Sequence, residues 1–303
     1  MKTSYEEIVN VSNIGKNTDA DLNKIFSLAQ NEQLTPSSKD PVQRLLLVID
    51  EQKDFMDGGA LGVPGACADV ERLTRFMYEN MNGISKIMAS MDAHTPHQIF
   101  HPCWWIDADG NHPAPYTIIK HDDVIKNKWR PVIGVGDSIT YLKKLEEIGK
   151  KELCIWPYHC IVGTTGQMLE SQFAKMMYFH SVAKRTVDLV IPKGQDPYSE
   201  MYGIIKPEYS KKNFINTPVL NSVEKYDEIY VAGEAASHCL LETVKQICEH
   251  FANRPEILQR IVILIDCTSP IPGYEDATKR EFEYFEKTYG IKFAKSTDIS
   301  LAA

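Results

Sequence analysis

A chain of 303 residues with 43% hydrophobic and 24% charged residues has enough apolar material for a sizeable core, as one large domain or two small ones. A net charge of −8 without a dense lysine or arginine cluster argues against a nucleic-acid surface. Apolar runs no longer than Leu45–Ile49 and Ile261–Ile265 argue against a membrane span. Seven scattered cysteines with no CxxC pair, behind a start that lacks an apolar signal region, point to free thiols in a reducing, cytoplasmic setting.

Residues 1–43 are polar and carry no strand pattern. The spacing of Leu22, Ile25, Phe26 and Leu28 predicts one short helix over Asp19–Gln30, and Gln33–Asp40 reads as a linker. This segment is therefore read as an N-terminal extension to a domain over 44–303. From Arg44 onward, strand-like and helical runs alternate. Strands are predicted at Arg44–Asp50, Ile84–Met91, Glu152–Trp156, Val187–Pro192, Glu228–Gly233 and Arg260–Asp266. Helices are predicted at Ala66–Met81, Thr140–Lys150, Gln167–Ala183, Cys239–Ala252 and Tyr274–Tyr289. Such alternation predicts an α/β fold of three layers, with a central six-stranded parallel sheet between helices. In that architecture ligands gather at the carboxyl ends of strands.

Polar residues stand at those ends. Asp50 closes the first strand, Asp92 and His94 the second, and His159 follows the third. Lys193 ends the fourth, and Cys239 follows the fifth across Gly233 and a run of small residues. Taken singly, each has an ordinary reading: a capping Asp, a packed His, a solvated Lys, a buried Cys. Together they put a thiol, a base, a cation and metal-ligand types on one rim. A cysteine at a helix start gains from the dipole and free N–H groups there, which favour its thiolate and can hold an oxyanion. In extended chain, Asp92 and His94 point the same way and can grip one metal ion.

These residues also resemble a family. The motifs Asp50-x-Gln52-x-Asp54-Phe55, Asp92-x-His94, Trp156-Pro-x-His159-Cys160, Lys193-Gly194 and Gly233-x-Ala235-x-x-His238-Cys239 are similar to those of the nicotinamidase/isochorismatase-like cysteine hydrolases, nicotinamidase branch. The resemblance covers about Leu45 to Ile271. It implies the isochorismatase-like hydrolase fold, with Cys239 as nucleophile, Asp50 as general base and Lys193 as third catalytic member. It implies an oxyanion hole from the Ala235 and Cys239 N–H groups, with a cis peptide at Glu234–Ala235. It implies one divalent metal ion on Asp92, His94 and His159, zinc foremost, with iron and manganese as alternatives. Phe55 and Trp156 would line the ring pocket, for which core packing is the competing reading. Part of the family adds a further histidine at the metal; here His97 and His101 both lie near, and spacing selects neither. The implied activity is conversion of nicotinamide to nicotinate and ammonia in a homo-oligomer. Another small amide or carbamoyl substrate, or a catalytically silent ligand-binding member, are the alternatives.

Between His94 and Trp156 lie 61 residues, longer than in small family members, and about 101–150 reads as an insertion. Within it Asp107-Ala-Asp-Gly-Asn111 lacks the acid a calcium loop needs, since Tyr116 occupies that place, and reads as a turn. The aromatic-rich loop Gln195–Tyr202 is expected to close over the pocket.

Overall fold

The computed structural model describes residues 1–17, 21–149 and 152–301. Its central sheet has six parallel strands: β1 (Arg44–Ile49), β2 (Lys86–Asp92), β3 (Leu189–Lys193), β4 (Glu228–Gly233), β5 (Ile261–Leu264) and β6 (Lys292–Ala294). Their order is β6-β5-β4-β1-β2-β3. The apolar run Leu45–Ile49 takes a central place, in register with β4 from Arg44↔Glu228 to Ile49↔Gly233 and with β2 on its other side. A strand turns alternate residues to opposite faces. Accordingly Leu45, Leu47 and Ile49 join one core, and Leu46 and Val48 the other.

The first core is closed by helices Val135–Ile148, Thr217–Lys225, Cys239–His250 and Glu275–Tyr289. The second is closed by Ala66–Glu79 and Ser171–Ala183. These are the expected three layers. Among the described residues no helix is long and apolar enough to cross a membrane.

Two strand assignments change. The Glu152–Trp156 run does not enter the sheet; only Leu153–Cys154 is extended, pairing antiparallel with Ile118–Ile119 of the insertion. Its apolar side chains, Leu153 and Ile155, fill the first core instead. The sixth strand is β6, too short and polar to stand out in sequence. The signal for it is Gly290, which ends the preceding helix at φ 71°, followed by Ile291, 1% exposed, and Phe293. The Thr217–Lys225 helix, with Pro at its start, was also not predicted.

The N-terminal segment contributes to the second core. Tyr5, Ile8 and Val9 are buried there, with Ile25 and Ala29 from the helix Leu22–Gln30. The Asn10 N–H donates to Gln172 Oε1 at 2.9 Å. Fully buried Lys184 binds Asp40 Oδ1 at 2.8 Å and Asn82 O at 2.6 Å, tying the linker to the domain. The predicted starts at Asp19 and Ala20, and the helix end at Lys150, lie outside the described residues.

Candidate active site

Strand ends bring the predicted residues together. Asp50 follows β1 at φ 46°, a left-handed turn out of the sheet. Asp92 and Lys193 are the last residues of β2 and β3. Past β4 the Glu234–Ala235 peptide is cis, as expected, and Cys239 opens its helix. β4, β1, β2 and β3 are neighbours, so all these groups share one rim.

His159 arrives by another route than a strand end. The chain leaving the insertion lays Ile161 beside His94 in a parallel bridge, with the His94 N–H on Cys160 O at 3.0 Å. Asp54 Oδ2 accepts the Cys160 N–H at 2.7 Å and fixes this turn. Gln52 fixes the other side: its Nε2 donates to Asp92 O at 2.9 Å, and its Oε1 accepts the Asp92 N–H at 2.7 Å. Gln52 and Asp54 stood in the motif without a role. Their spacing beside Asp50 was the available signal.

Lys193 Nζ is the hub. It lies 2.8 Å from Asp50 Oδ2, 2.6 Å from Asp92 Oδ1, 3.1 Å from Met201 O and 3.8 Å from Cys239 Sγ. Ser90, which sequence reasoning missed, donates its hydroxyl to Asp50 Oδ1 at 2.6 Å. Burial lifts the Asp50 carboxyl to about 6, Lys193 opposing and Asp92 adding to the rise. Burial also lifts Asp92, but Lys193 and then His94 outweigh it and hold that carboxylate below its usual range.

Cys239 departs from the helix-terminus expectation. Burial pushes its thiol well above the ordinary value; Lys193 opposes this, while Asp50 and Asp92 add to it. One ammonium already shared by two carboxylates does not offset a third negative charge in a dry site. The resting sulfur is therefore a thiol with its base alongside, rather than a standing thiolate. The Ala235 and Cys239 N–H groups make no backbone hydrogen bond among the described residues, whereas His238 and Leu240 both donate to Ala235 O. Two amide donors beside the sulfur are thus open to an oxyanion.

Asp92, His94 and His159 place ligand atoms within 4.8 Å of one another. His94 Nδ1 lies 2.9 Å from Gly194 O, and His159 Nδ1 lies 2.8 Å from Pro157 O. A ring nitrogen held on a carbonyl carries the hydrogen, so each Nε2 is left with its lone pair. Of the two histidines left open at the metal side, His101 is the one that lies beside these rings. His97 is exposed, whereas His101 is fully buried, with Nδ1 3.0 Å from Pro96 O and Nε2 without any partner. Its ring centroid lies 6.1 Å from that of His94 and 5.8 Å from that of His159. Burial, with His94 adding to it and the Pro96 carbonyl opposing, brings His101 down to about 4. Burial and then His94 bring His159 down to about 3, so both rings are neutral at pH 7. An orphaned buried nitrogen beside two imidazoles and a carboxylate fits a divalent transition metal.

Phe55 and Trp156 both face the cavity above these groups, together with Leu61, Phe100, Tyr202 and Ile271. It encloses about 480 Å³ counting its open mouth, and Asp92, His94, His159, Ala235 and Cys239 also line it. The Gln195–Tyr202 loop contributes to its wall. Glu200, not singled out from sequence, is 4% exposed and takes the Trp156 Nε1–H on Oε1 at 2.6 Å. Its own N–H donates to the Tyr141 hydroxyl, on the Val135–Ile148 helix of the insertion, at 3.2 Å. The insertion thus backs the pocket wall. Its Asp107 loop is a turn, with Asp107 Oδ1 accepting the Asp109 and Asn111 N–H groups at 2.9 and 2.8 Å.

Solved structures share this architecture. A nicotinamidase/pyrazinamidase of Acinetobacter baumanii matches at 18% identity and TM-score 0.58, over 86% of this chain and 99% of its own. The yeast nicotinamidase matches at 20% identity and TM-score 0.59, over 83% and 99%. PnC1 from L. infantum, solved with nicotinate, matches at 16% identity and TM-score 0.54, over 89% and 98%. The chain has the isochorismatase-like hydrolase fold. No family model matches the sequence, and no curated protein matches it. At these identities the likeness establishes the fold alone, and the chemistry rests on the residues of the site. Within this chain, Trp156, Glu200 and Tyr141 link the 101–150 segment to the pocket wall.

Proposed function

We propose that the chain is a metal-dependent cysteine amidohydrolase that converts nicotinamide to nicotinate and ammonia. The observation that carries this reading is the Asp50–Lys193–Cys239 cluster, adjoining Asp92, His94 and His159 in one aromatic-walled cavity. Phe55, Trp156 and Cys239 line the same cavity, so a flat ring held by the two aromatic side chains would present its carboxamide to the sulfur. The matched fold was solved in yeast with the inhibitor nicotinaldehyde, which supports a pyridine ligand of this size.

Asp50 takes the thiol proton as Cys239 Sγ attacks the amide carbon. The Ala235 and Cys239 amides hold the resulting oxyanion. Asp50 returns the proton to the leaving nitrogen, and the C–N bond breaks to give ammonia and a thioester. Asp50 then accepts a proton from water attacking the thioester, and nicotinate leaves as the sulfur regains its hydrogen. Lys193 stays charged throughout and holds both carboxylates in place. A metal ion on Asp92, His94 and His159, with His101 beside them, would supply a Lewis-acid contact for the ring nitrogen.

The second reading, a carbamoyl substrate, is separated by comparing ammonia release from nicotinamide and from an N-carbamoyl amino acid under one set of conditions. Faster release from nicotinamide is expected; the reverse order moves the substrate and leaves the cysteine chemistry intact.

Glu200 holds the ring wall rather than the reacting atoms. Glu200→Ala frees the Trp156 indole, and losing one charge-assisted hydrogen bond is expected to raise KM for nicotinamide about tenfold. The kcat should stay within about threefold, and Glu200→Gln, which keeps an acceptor oxygen, should restore most of the KM. Steady-state kinetics check this; an unchanged KM in Glu200→Ala contradicts it.

A further inference from the structure

Beside the nucleophile strand ends lies a group of acids that the proposed reaction does not use. Glu51, Glu170 and Glu234 are fully buried, and Asp69 is 1% exposed. Two of the four are satisfied. Glu170 caps its helix, accepting the Gln172 and Phe173 N–H groups at 2.7 and 2.9 Å and that of Gly15 at 3.1 Å. Asp69 pairs with Arg72 and accepts the Ser269 hydroxyl. The other two are not. Both carboxyl oxygens of Glu51 and Oε1 of Glu234 have no hydrogen-bond partner; Glu234 Oε2 takes the Ser269 N–H at 3.3 Å, and the Glu234 carboxyl also meets the Asp69 carboxyl in a hydrogen bond that requires a shared proton.

The surrounding acids add to the problem. Glu51 is faced by Asp50 at its own strand end, by Asp69 from the Ala66–Glu79 helix and by Glu170 from the start of the Ser171–Ala183 helix. Glu234, past β4, is faced by Glu51 and Asp69. Cys267, past β5, also faces Glu51 and Asp69. Among the described residues, Arg72 is held on Asp69 and Lys175 faces Glu170. Among the described residues no salt bridge reaches Glu51 or Glu234. An unpaired carboxylate in dry interior is strongly disfavoured, so each must be neutralised by a proton or by an ion. The ion is disfavoured, because among the described residues no three of these acids gather ligand atoms as Asp92, His94 and His159 do.

We propose that Glu51 and Glu234 fold in as neutral carboxylic acids, a proton-holding pair that sets the alkaline limit of the protein's stability. Burial and the surrounding acids push both carboxyls well above the ordinary glutamate value. The sign follows from proton binding. Above about pH 4.3, where an unfolded glutamate ionises, the folded chain holds protons that the unfolded chain has released. Stability from these groups is greatest below that pH and declines as pH rises towards the folded values. With the pair neutral, no negative charge stands one residue from the Ala235 amide.

The test is guanidinium unfolding of the full, metal-loaded chain between pH 6 and 9, as order-of-magnitude bounds of the working range, for wild type, Glu51→Gln and Glu234→Gln. It reads stability and does not depend on the proposed reaction. The wild-type unfolding constant should climb with pH by up to about tenfold per unit more than that of Glu51→Gln, whose amide keeps the shape without a proton to lose. Parallel pH dependences overturn the proposal. So does a second metal ion per chain that Glu51→Gln loses. Should the variants not fold, infrared spectra of wild type at neutral pH decide: the carbonyl band of a protonated carboxylic acid supports the pair, and its absence overturns it.

Discussion

Cys239→Ala is expected to abolish turnover and leave the metal in place. The substitution removes the attacking atom, and losses of that kind are on the order of 10⁵-fold or more in kcat. The three ligand side chains Asp92, His94 and His159 all remain, although Cys239 Sγ lies within 4.8 Å of Asp92. Metal content should therefore match wild type, and ligand affinity should survive. The same chemistry fixes a pH dependence. Asp50 must be ionised to take the thiol proton, and burial has raised it to about 6. Activity should fall as pH drops through that value, and the thiol itself, pushed up rather than down, should give no acid limb of its own. Rapid-quench or steady-state ammonia assays on metal-matched samples check both statements. Residual activity above about a thousandth of wild type in Cys239→Ala would remove the sulfur from the mechanism.

His159→Ala is expected to lose the metal first and turnover with it. Its Nδ1 is tied to Pro157 O, so the imidazole is a fixed donor whose removal leaves two ligands on β2 and its extension. Removing even the outer partner of a metal-bound imidazole costs about 10–100-fold in affinity, and removing the imidazole itself should exceed that range. His101→Ala should cost less, and His97→Ala, at an exposed position, nothing measurable. Competition with a chromophoric chelator gives the three affinities directly. Full metal loading of His159→Ala after dialysis would assign the metal elsewhere.

What sequence could show of this site was set by how locally each residue is placed. Asp50, Asp92, Lys193 and Cys239 sit next to the ends of strands or at the start of a helix, so alternation of apolar runs located them. His159 depends on a bridge between Ile161 and His94, a contact across an insertion that no local pattern encodes. The strand predicted before it was a buried apolar run serving the insertion, while the true edge strand, Lys292–Ala294, is too short to show periodicity. Glu200, Ser90 and the Glu51–Glu234 pair act through partners 40 or more residues away, or through the lack of partners, and only the folded chain reveals either. The thiol's direction was misread for the same reason. The helix terminus is visible in sequence, but the burial of the sulfur and the two carboxylates brought beside it from other strands are visible only in the fold.

Ammonia release from nicotinamide by purified protein, with metal counted on the same sample, tests the central claim most directly. The account predicts turnover with about one metal ion per chain at the Asp92–His94–His159 set, lost in Cys239→Ala. A sample with its metal bound and Cys239 reduced that releases no ammonia from nicotinamide would contradict it.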